Sequence, residues 1–347
     1  MHTTYEKYTV SLLKGYLEMW NILQQVNKNL TISIPLFLLS GFIFGISVDP
    51  SVSQTLKSLI GQLTILMVFP MMVTLNMANL KKGLNYKLQT TAQLINFVII
   101  PSAAFLLGKI FFSDQPYLAL GLLLASLLPT SGMTISWTGF ARGNMGAAIN
   151  MTVIGLLLGS FLTPFYVQVL MGTTIEIDLM RIVYQILVIV FLPMIIGQMT
   201  RRVLLKRYPV EEFKRSIAPR FPAISSLGVL GIVFVAMALK ARGIMAEPQL
   251  LAGIIIPLLI LYSFNFIAST LIGRSLFKRG EAIALVYGTV MRNLSIALAV
   301  AMNAFGQDGT HAALVIALAY IIQVQSAAWY VKLTDRFFGP PAQPEKA

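Results

Sequence analysis

The chain has 347 residues, 56% of them hydrophobic and only 11% charged, less than half the charged share of an ordinary soluble domain, so water is not its main solvent. It has no cysteine, which excludes a disulfide frame, a thiolate metal site and a catalytic thiol. The net charge of +13 does not point to nucleic acid, because basic residues that border apolar spans are explained by membrane orientation and anionic lipid.

Residues 1–29 read as an amphipathic surface helix rather than a cleaved signal, with Glu6, Lys7, Lys14, Glu18 and Lys28 spread among Leu12, Leu13, Leu17, Trp20 and Leu23. Beyond them, apolar segments of about 20 residues recur, and 30–48 and 145–161 carry no charge at all. Spans are expected near 30–48, 56–75, 90–112, 117–138, 145–171, 180–199, 221–239, 248–272, 282–304 and 309–331. With this layout 20 of the 26 Lys and Arg fall on the side of the termini and five on the other, leaving Arg292 inside a span. The positive-inside rule then places both termini in the cytoplasm of a multi-pass protein of the cell (inner) membrane. All 13 acids fall at or near loops and span ends, so no carboxylate is expected near the membrane midplane, where ion-driven carriers often keep one. A polar stretch at 201–220, RRVLLKRYPVEEFKRSIAPR, follows span six and divides the chain. The organisation is read as a 1–29 segment, a first repeat at 30–171, a second at 172–332 with its cytoplasmic loop at 200–220, and a tail at 333–347.

Two spans are interrupted. Span four carries Pro129, Thr130, Ser131, Gly132 and Thr134 in its middle, and a proline followed by small hydroxylated residues frees backbone groups that only protein or a wet cavity can satisfy. Span nine carries Gly288, Thr289, Arg292, Asn293 and Ser295, and Arg292 sets a full charge in an apolar run. Four and nine differ by five. Paired breaks at matching places of two five-span halves point to an inverted-repeat transporter, because an odd repeat length reverses orientation.

The stretches PTSGMTISWTGFARGN at 129–144, NMTVIGLLLGSFLTP at 150–164 and GTVMRNLSIALAVAMNAFG at 288–306 resemble the fourth, fifth and ninth spans of the bile acid:sodium symporter superfamily. VFPMMVTLNMANLKKG at 68–83 is similar to its arsenical-resistance permease branch. The resemblance implies an all-α polytopic fold of about ten transmembrane helices in two inverted five-helix repeats, with broken helices four and nine crossing. It implies substrates among bile acids, other organic anions, pantoate-like acids and, in the second branch, arsenite. The chain departs from the family's sodium ligands. Thr134 and Ile135 stand where members have a Ser-Asn pair, Ala148 replaces a Ser, Gly288 a Glu and Arg292 a Gln, while Thr152 is kept. Of the arsenite branch it lacks the span-four cysteine, and Ser295 stands at the span-nine acid.

The residues therefore indicate a secondary transporter of a small anionic solute such as an organic anion, with sodium coupling disfavoured. The site is expected at Pro129, Thr130, Ser131, Gly132, Thr134, Asn150, Thr152, Gly288, Thr289, Arg292, Asn293 and Ser295. Arg292 either binds the anion or replaces sodium as a fixed structural charge, and the two roles are compatible. Gln93, Asn96, Asn265, Gln323 and Gln325 are read as interhelical hydrogen-bonding groups, and His311 as interfacial. The expected partners are a small-molecule or oxyanion substrate and membrane lipid, with no cofactor, metal or nucleic acid. The alternatives are an arsenite or other metalloid oxyanion efflux permease and, from another class, a receptor or membrane-embedded enzyme. The enzyme reading has few candidate groups, with His only at positions 2 and 311.

Overall fold

The computed structural model describes residues 20–340 apart from 22, 28, 50, 76–83 and 247, and the side chain of Thr31. Outside the described residues lie the amphipathic reading of 1–19, the 76–83 part of the arsenical-branch motif with Lys81 and Lys82, and the tail from 341 onward.

Among the described residues, twelve helices of nine or more residues run between Leu30 and Phe338. They are α1 (Leu30–Ser47), α2 (Val52–Thr74), α3 (Tyr86–Phe111), α4 (Pro116–Leu127), α5 (Gly132–Phe140), α6 (Met145–Met171), α7 (Leu179–Arg207), α8 (Arg220–Ala246), α9 (Gln249–Leu276), α10 (Arg279–Val290), α11 (Leu294–Ala304) and α12 (Gly309–Phe338). Seven helical segments, containing α2, α3, α6, α7, α8, α9 and α12, are long and apolar enough to cross a membrane, and α1, α4 and α11 supply shorter apolar helices. Spans four and nine are each two helices end to end, α4–α5 and α10–α11, as their breaks require.

Local chemistry sets the helix starts. The side chains of Asn85, Asn144, Asp178 and Asn293 accept from the backbone N–H groups of Leu88, Ala147, Arg181 and Ile296 at 3.0–3.2 Å, each satisfying a first-turn donor that helix geometry leaves open. Two spans bulge where a proline follows. α3 passes through a π-helical segment at Ile95–Ile99 before Pro101, and α7 through one at Leu187–Phe191 before Pro193. Pro101 cannot donate to Phe97, and the Phe97 carbonyl accepts from the Tyr166 hydroxyl of α6 instead.

Small residues bring helices into contact. A Cβ at Gly41 would sit 2.6 Å from the Phe234 carbonyl oxygen, and one at Gly228 would sit 2.5 Å from the Met67 nitrogen, so α1 and α2 both press on α8. Large apolar side chains such as Ile65, Leu106, Val169 and Ile267 lie more than half exposed on the outside, the distribution expected where lipid replaces water.

The structure differs from the sequence expectation between spans six and seven. Residues 201–207, expected in the loop, continue α7. The Arg201 guanidinium donates to the Val73 and Thr74 carbonyls (3.4 and 3.2 Å) and lies over the Phe213 ring, and Gln198 donates to Met72 and Leu75 (2.9 and 2.8 Å). These bonds tie the end of α2 to α7 and give the extra turns a reason to remain helical. The connection that follows is itself partly helical, with turns at Val210–Glu212 and Phe213–Ile217.

Candidate functional site

The two breaks touch. Pro129 and Arg292 form an isolated antiparallel bridge, and the Asn293 N–H donates to the Leu128 carbonyl at 2.7 Å. α4 and α10 end at this crossing, while α5 and α11 begin there, so two carbonyl ends and two amide ends of helices converge on one point. The amide ends are capped: Met133 N–H donates to Ser131 Oγ (3.2 Å), Ser131 N–H to Thr134 Oγ1 (3.1 Å) and Ile296 N–H to Asn293 Oδ1 (3.2 Å).

The carbonyl ends are met by other helices. Asn96, within the π segment of α3, donates to the Gly288 carbonyl at 3.1 Å, and Asn265 of α9 donates to the Thr289 carbonyl at 2.8 Å. Ser269 extends this set, donating to Asn265 Oδ1 at 3.1 Å and lying 2.7 Å from Thr289 Oγ1. Gln323 of α12 pairs with both the N–H and the carbonyl of Arg292. Thr130 adopts φ 64°, a left-handed conformation costly for a β-branched residue. Its hydroxyl lies 2.6 Å from the Pro129 carbonyl and 3.2 Å from that of Thr152. α6 admits this turn because it carries Gly155 and Gly159 there; a Cβ at Gly155 would sit 2.7 Å from Thr130 Oγ1, and one at Gly159 would sit 2.8 Å from Pro129 Cδ.

Arg292 is 2% exposed, and its Nη1 and Nη2 have no hydrogen-bond partner. Beside it is a narrow cavity of about 10 Å³, room for a single water, lined also by Ile100, Ala125, Ser126, Leu261, Tyr262 and Asn265. Its polar groups are already engaged elsewhere. Ser126 donates to the Leu123 carbonyl, Tyr262 to Gln323 Oε1, and Asn265 serves Thr289 and Ser269. The guanidinium also follows directly on the carbonyl end of α10, where the helix dipole favours positive charge.

The expected site residues therefore divide. Pro129, Thr130, Ser131, Thr134, Thr289, Arg292 and Asn293 build the crossing, and all the polar ones among them are buried. Gly132 is exposed at the start of α5. Gly288, expected to weaken the helix, lies within α10, where its missing Cβ makes room for Met151 Sδ, and the break falls at residues 291–293. Asn150 and Thr152 are buried on α6, with Thr152 Oγ1 donating to the Ala148 carbonyl, and Ser295 bonds the Tyr320 hydroxyl. Of all these, Arg292 alone lines the cavity. Ser126 and Tyr262 were not singled out by the sequence, and Asn96, Asn265 and Gln323, read there as interhelical bonds, are bonded between helices at the crossing itself. His311, by contrast, packs against Lys240 Nζ (2.8 Å to Nε2) at the start of α12, as an interfacial group would.

The residues at the crossing do not fit a sodium ion. No carboxylate is buried among the described residues, and the carbonyls of Leu128, Ala148, Thr152, Gly288, Thr289 and Arg292 have protein donors within bonding distance.

Residues 62–247 match the model of the sodium bile acid symporter family. The chain is 26% identical over 307 residues to the arsenical-resistance protein Acr3 of Corynebacterium glutamicum, covering 80% of this chain and 82% of that protein. It is 24% identical over 354 aligned positions to an uncharacterized transporter of Synechocystis sp., covering 92% and 91%. Against sodium/bile acid cotransporter 7 of Danio rerio the identity is 30% over 154 residues, 44% of each chain.

Proposed function

The chain belongs to the sodium bile acid symporter family, and from that premise we propose that this integral membrane protein is a secondary transporter of a small anionic solute, bound at Arg292 by alternating access. The observation that carries the reading is the pair of unpartnered guanidinium nitrogens buried where the two broken helices cross. A guanidinium presents a planar fork suited to carboxylate or another oxyanion. The cavity beside Arg292 is about 10 Å³, room for a single water and far below the roughly 300–1,000 Å³ of sites for drug-sized ligands, so a solute that reaches the guanidinium is small and enters only as the helices around it part. The ten-span, two-repeat arrangement is part of this proposal. Its support is that the breaks of spans four and nine meet at Pro129 and Arg292.

Sodium has no part in this reading, because a fixed cation and internally bonded carbonyls occupy the crossing. The test is a thermal-shift series of small organic acids and oxyanions on the purified protein, in sodium and in potassium buffer. Stabilisation by anions that is equal in both salts supports the proposal. A requirement for sodium, or no response to any anion, rejects it.

A second reading, arsenite efflux, is favoured by the similarity to Acr3 along most of both chains. It differs in its ligand chemistry: arsenite at neutral pH is an uncharged hydroxide that gains little from a guanidinium. Uptake of arsenite by inside-out vesicles would favour it over the organic anion.

A further inference from the structure

Among the described residues Arg292 is the one charged side chain that is buried. The groups that share its cavity, Ser126, Tyr262 and Asn265, are neutral and bonded elsewhere, and Gln323 is committed to the Arg292 backbone. Among the described residues no side chain in the site cancels this charge, and only the partial negative charge at the carbonyl end of α10 offsets it. A carboxylate site empties by taking up a proton, but a guanidinium keeps its proton at any working pH, and among the described residues no carboxylate is buried to pair with it.

A carrier that alternates must pass, on every crossing, through a closed state in which the site is cut off from water. With a monoanion on the guanidinium, that state holds a neutral pair. Without one, it holds a bare cation in a dry cavity between α3, α4 and α9, and such a charge is strongly penalised away from water. The loaded and empty crossings therefore have very different barriers.

Resting on the reading of Arg292 as the anion site, we propose that the protein is an obligatory exchanger. It carries one small monoanion in for each one carried out, and cannot return empty. The exchange is electroneutral, because the mobile pair has no net charge in either direction.

The experiment uses the full chain, reconstituted into liposomes, with radiolabelled lactate and radiolabelled methanesulfonate as probes. Methanesulfonate stays ionised and so cannot cross as an acid. Uptake is compared between liposomes loaded with the same unlabelled anion and liposomes loaded with potassium sulfate, a dianion that would not form a neutral pair with the guanidinium, with the potential set by valinomycin. Exchange at least about tenfold faster than net uptake, corresponding to a barrier difference of about 1.4 kcal/mol, and unchanged by the imposed potential, is the expected result. Equal rates with the two loadings overturn the exchange proposal. If the anions still stabilise the protein in that case, the anion reading of Arg292 survives alone. If neither probe stabilises the protein and neither is taken up under either loading, both fall together.

Discussion

Gln323 holds Arg292 by its backbone: the side-chain oxygen accepts from the Arg292 N–H at 2.8 Å, and the amide nitrogen donates to the Arg292 carbonyl at 3.1 Å. The amide thereby stands in for a neighbouring strand at a point where the helix is interrupted. It leaves the guanidinium unengaged by α12, while Tyr262 fixes the same Gln323 oxygen from the other side at 3.0 Å.

Gln323→Leu should lower the melting temperature of the purified protein substantially. The change strands two buried backbone groups and the Tyr262 hydroxyl, and each unmet group costs about 1–3 kcal/mol. Gln325→Leu, two residues on and exposed, is the control and should shift stability by no more than about 0.5 kcal/mol. Equal effects from the two substitutions would show that the amide pairing does not support the break.

This pair also illustrates what the sequence could and could not disclose. The break of span four was legible because Pro129 removes a donor and Thr130, Ser131 and Gly132 follow it in an apolar run. The charge at Arg292 was legible because no membrane surface accounts for it. The neighbours were not. Gln323 is a lone amide on an apolar helix, and nothing local distinguishes it from Gln325, which faces outward. Ser126 reaches Arg292 from α4, and Tyr262 and Asn265 reach it from α9, so their meeting is a property of packing between helices distant in sequence. Gly288 misled for the opposite reason. A glycine within a helix suggests weakness, yet here it serves close contact with Met151, and the chain unwinds at 291–293, where Asn293 can cap the next helix.

Thr130 combines a left-handed backbone with a β-branched side chain, and persists because its hydroxyl meets the Pro129 carbonyl at the break and the Thr152 carbonyl of α6. Thr130→Gly removes the strain together with the hydroxyl, so the two effects partly cancel. Thr130→Val keeps the branch and loses the bond. The valine variant should therefore be the less stable of the two, by about 1–2 kcal/mol, read as the difference in melting temperature. A valine variant as stable as the glycine one would mean that Thr130 is not strained.

Topology can be tested without background, since the chain has no cysteine of its own. A single cysteine at Glu212, in the connection between α7 and α8, should be protected from an impermeant maleimide in intact cells. One at Asp114, between α3 and α4, should be labelled. The expectation follows from the basic residues Arg201, Arg202, Lys206 and Arg207 at the end of α7 and Lys214, Arg215 and Arg220 beyond it, which the positive-inside rule retains in the cytoplasm. Labelling of Glu212→Cys from outside would break the ten-span arrangement.

Arg292→Gln tests the site most directly. If the guanidinium binds the anion, the variant loses a charge-assisted contact worth about 1.5–3 kcal/mol, and affinity falls roughly 10- to 150-fold. Folding should not suffer by that route, because the Arg292 N–H and carbonyl that Gln323 holds are unchanged and two unpartnered buried nitrogens are removed. Melting temperature in the absence of anion should therefore hold or rise, while the stabilisation by added anion disappears. Arg292→Lys separates charge from shape: it keeps the cation but loses the planar fork, and should retain part of the affinity for an anion. If Arg292 instead serves only as a structural charge in place of sodium, Arg292→Gln should destabilise the protein and make it respond to sodium, since glutamine offers an oxygen at the crossing. Anion affinity and melting temperature, measured together with and without sodium, distinguish the two roles. Wild-type values for both in the glutamine variant would remove Arg292 from the site.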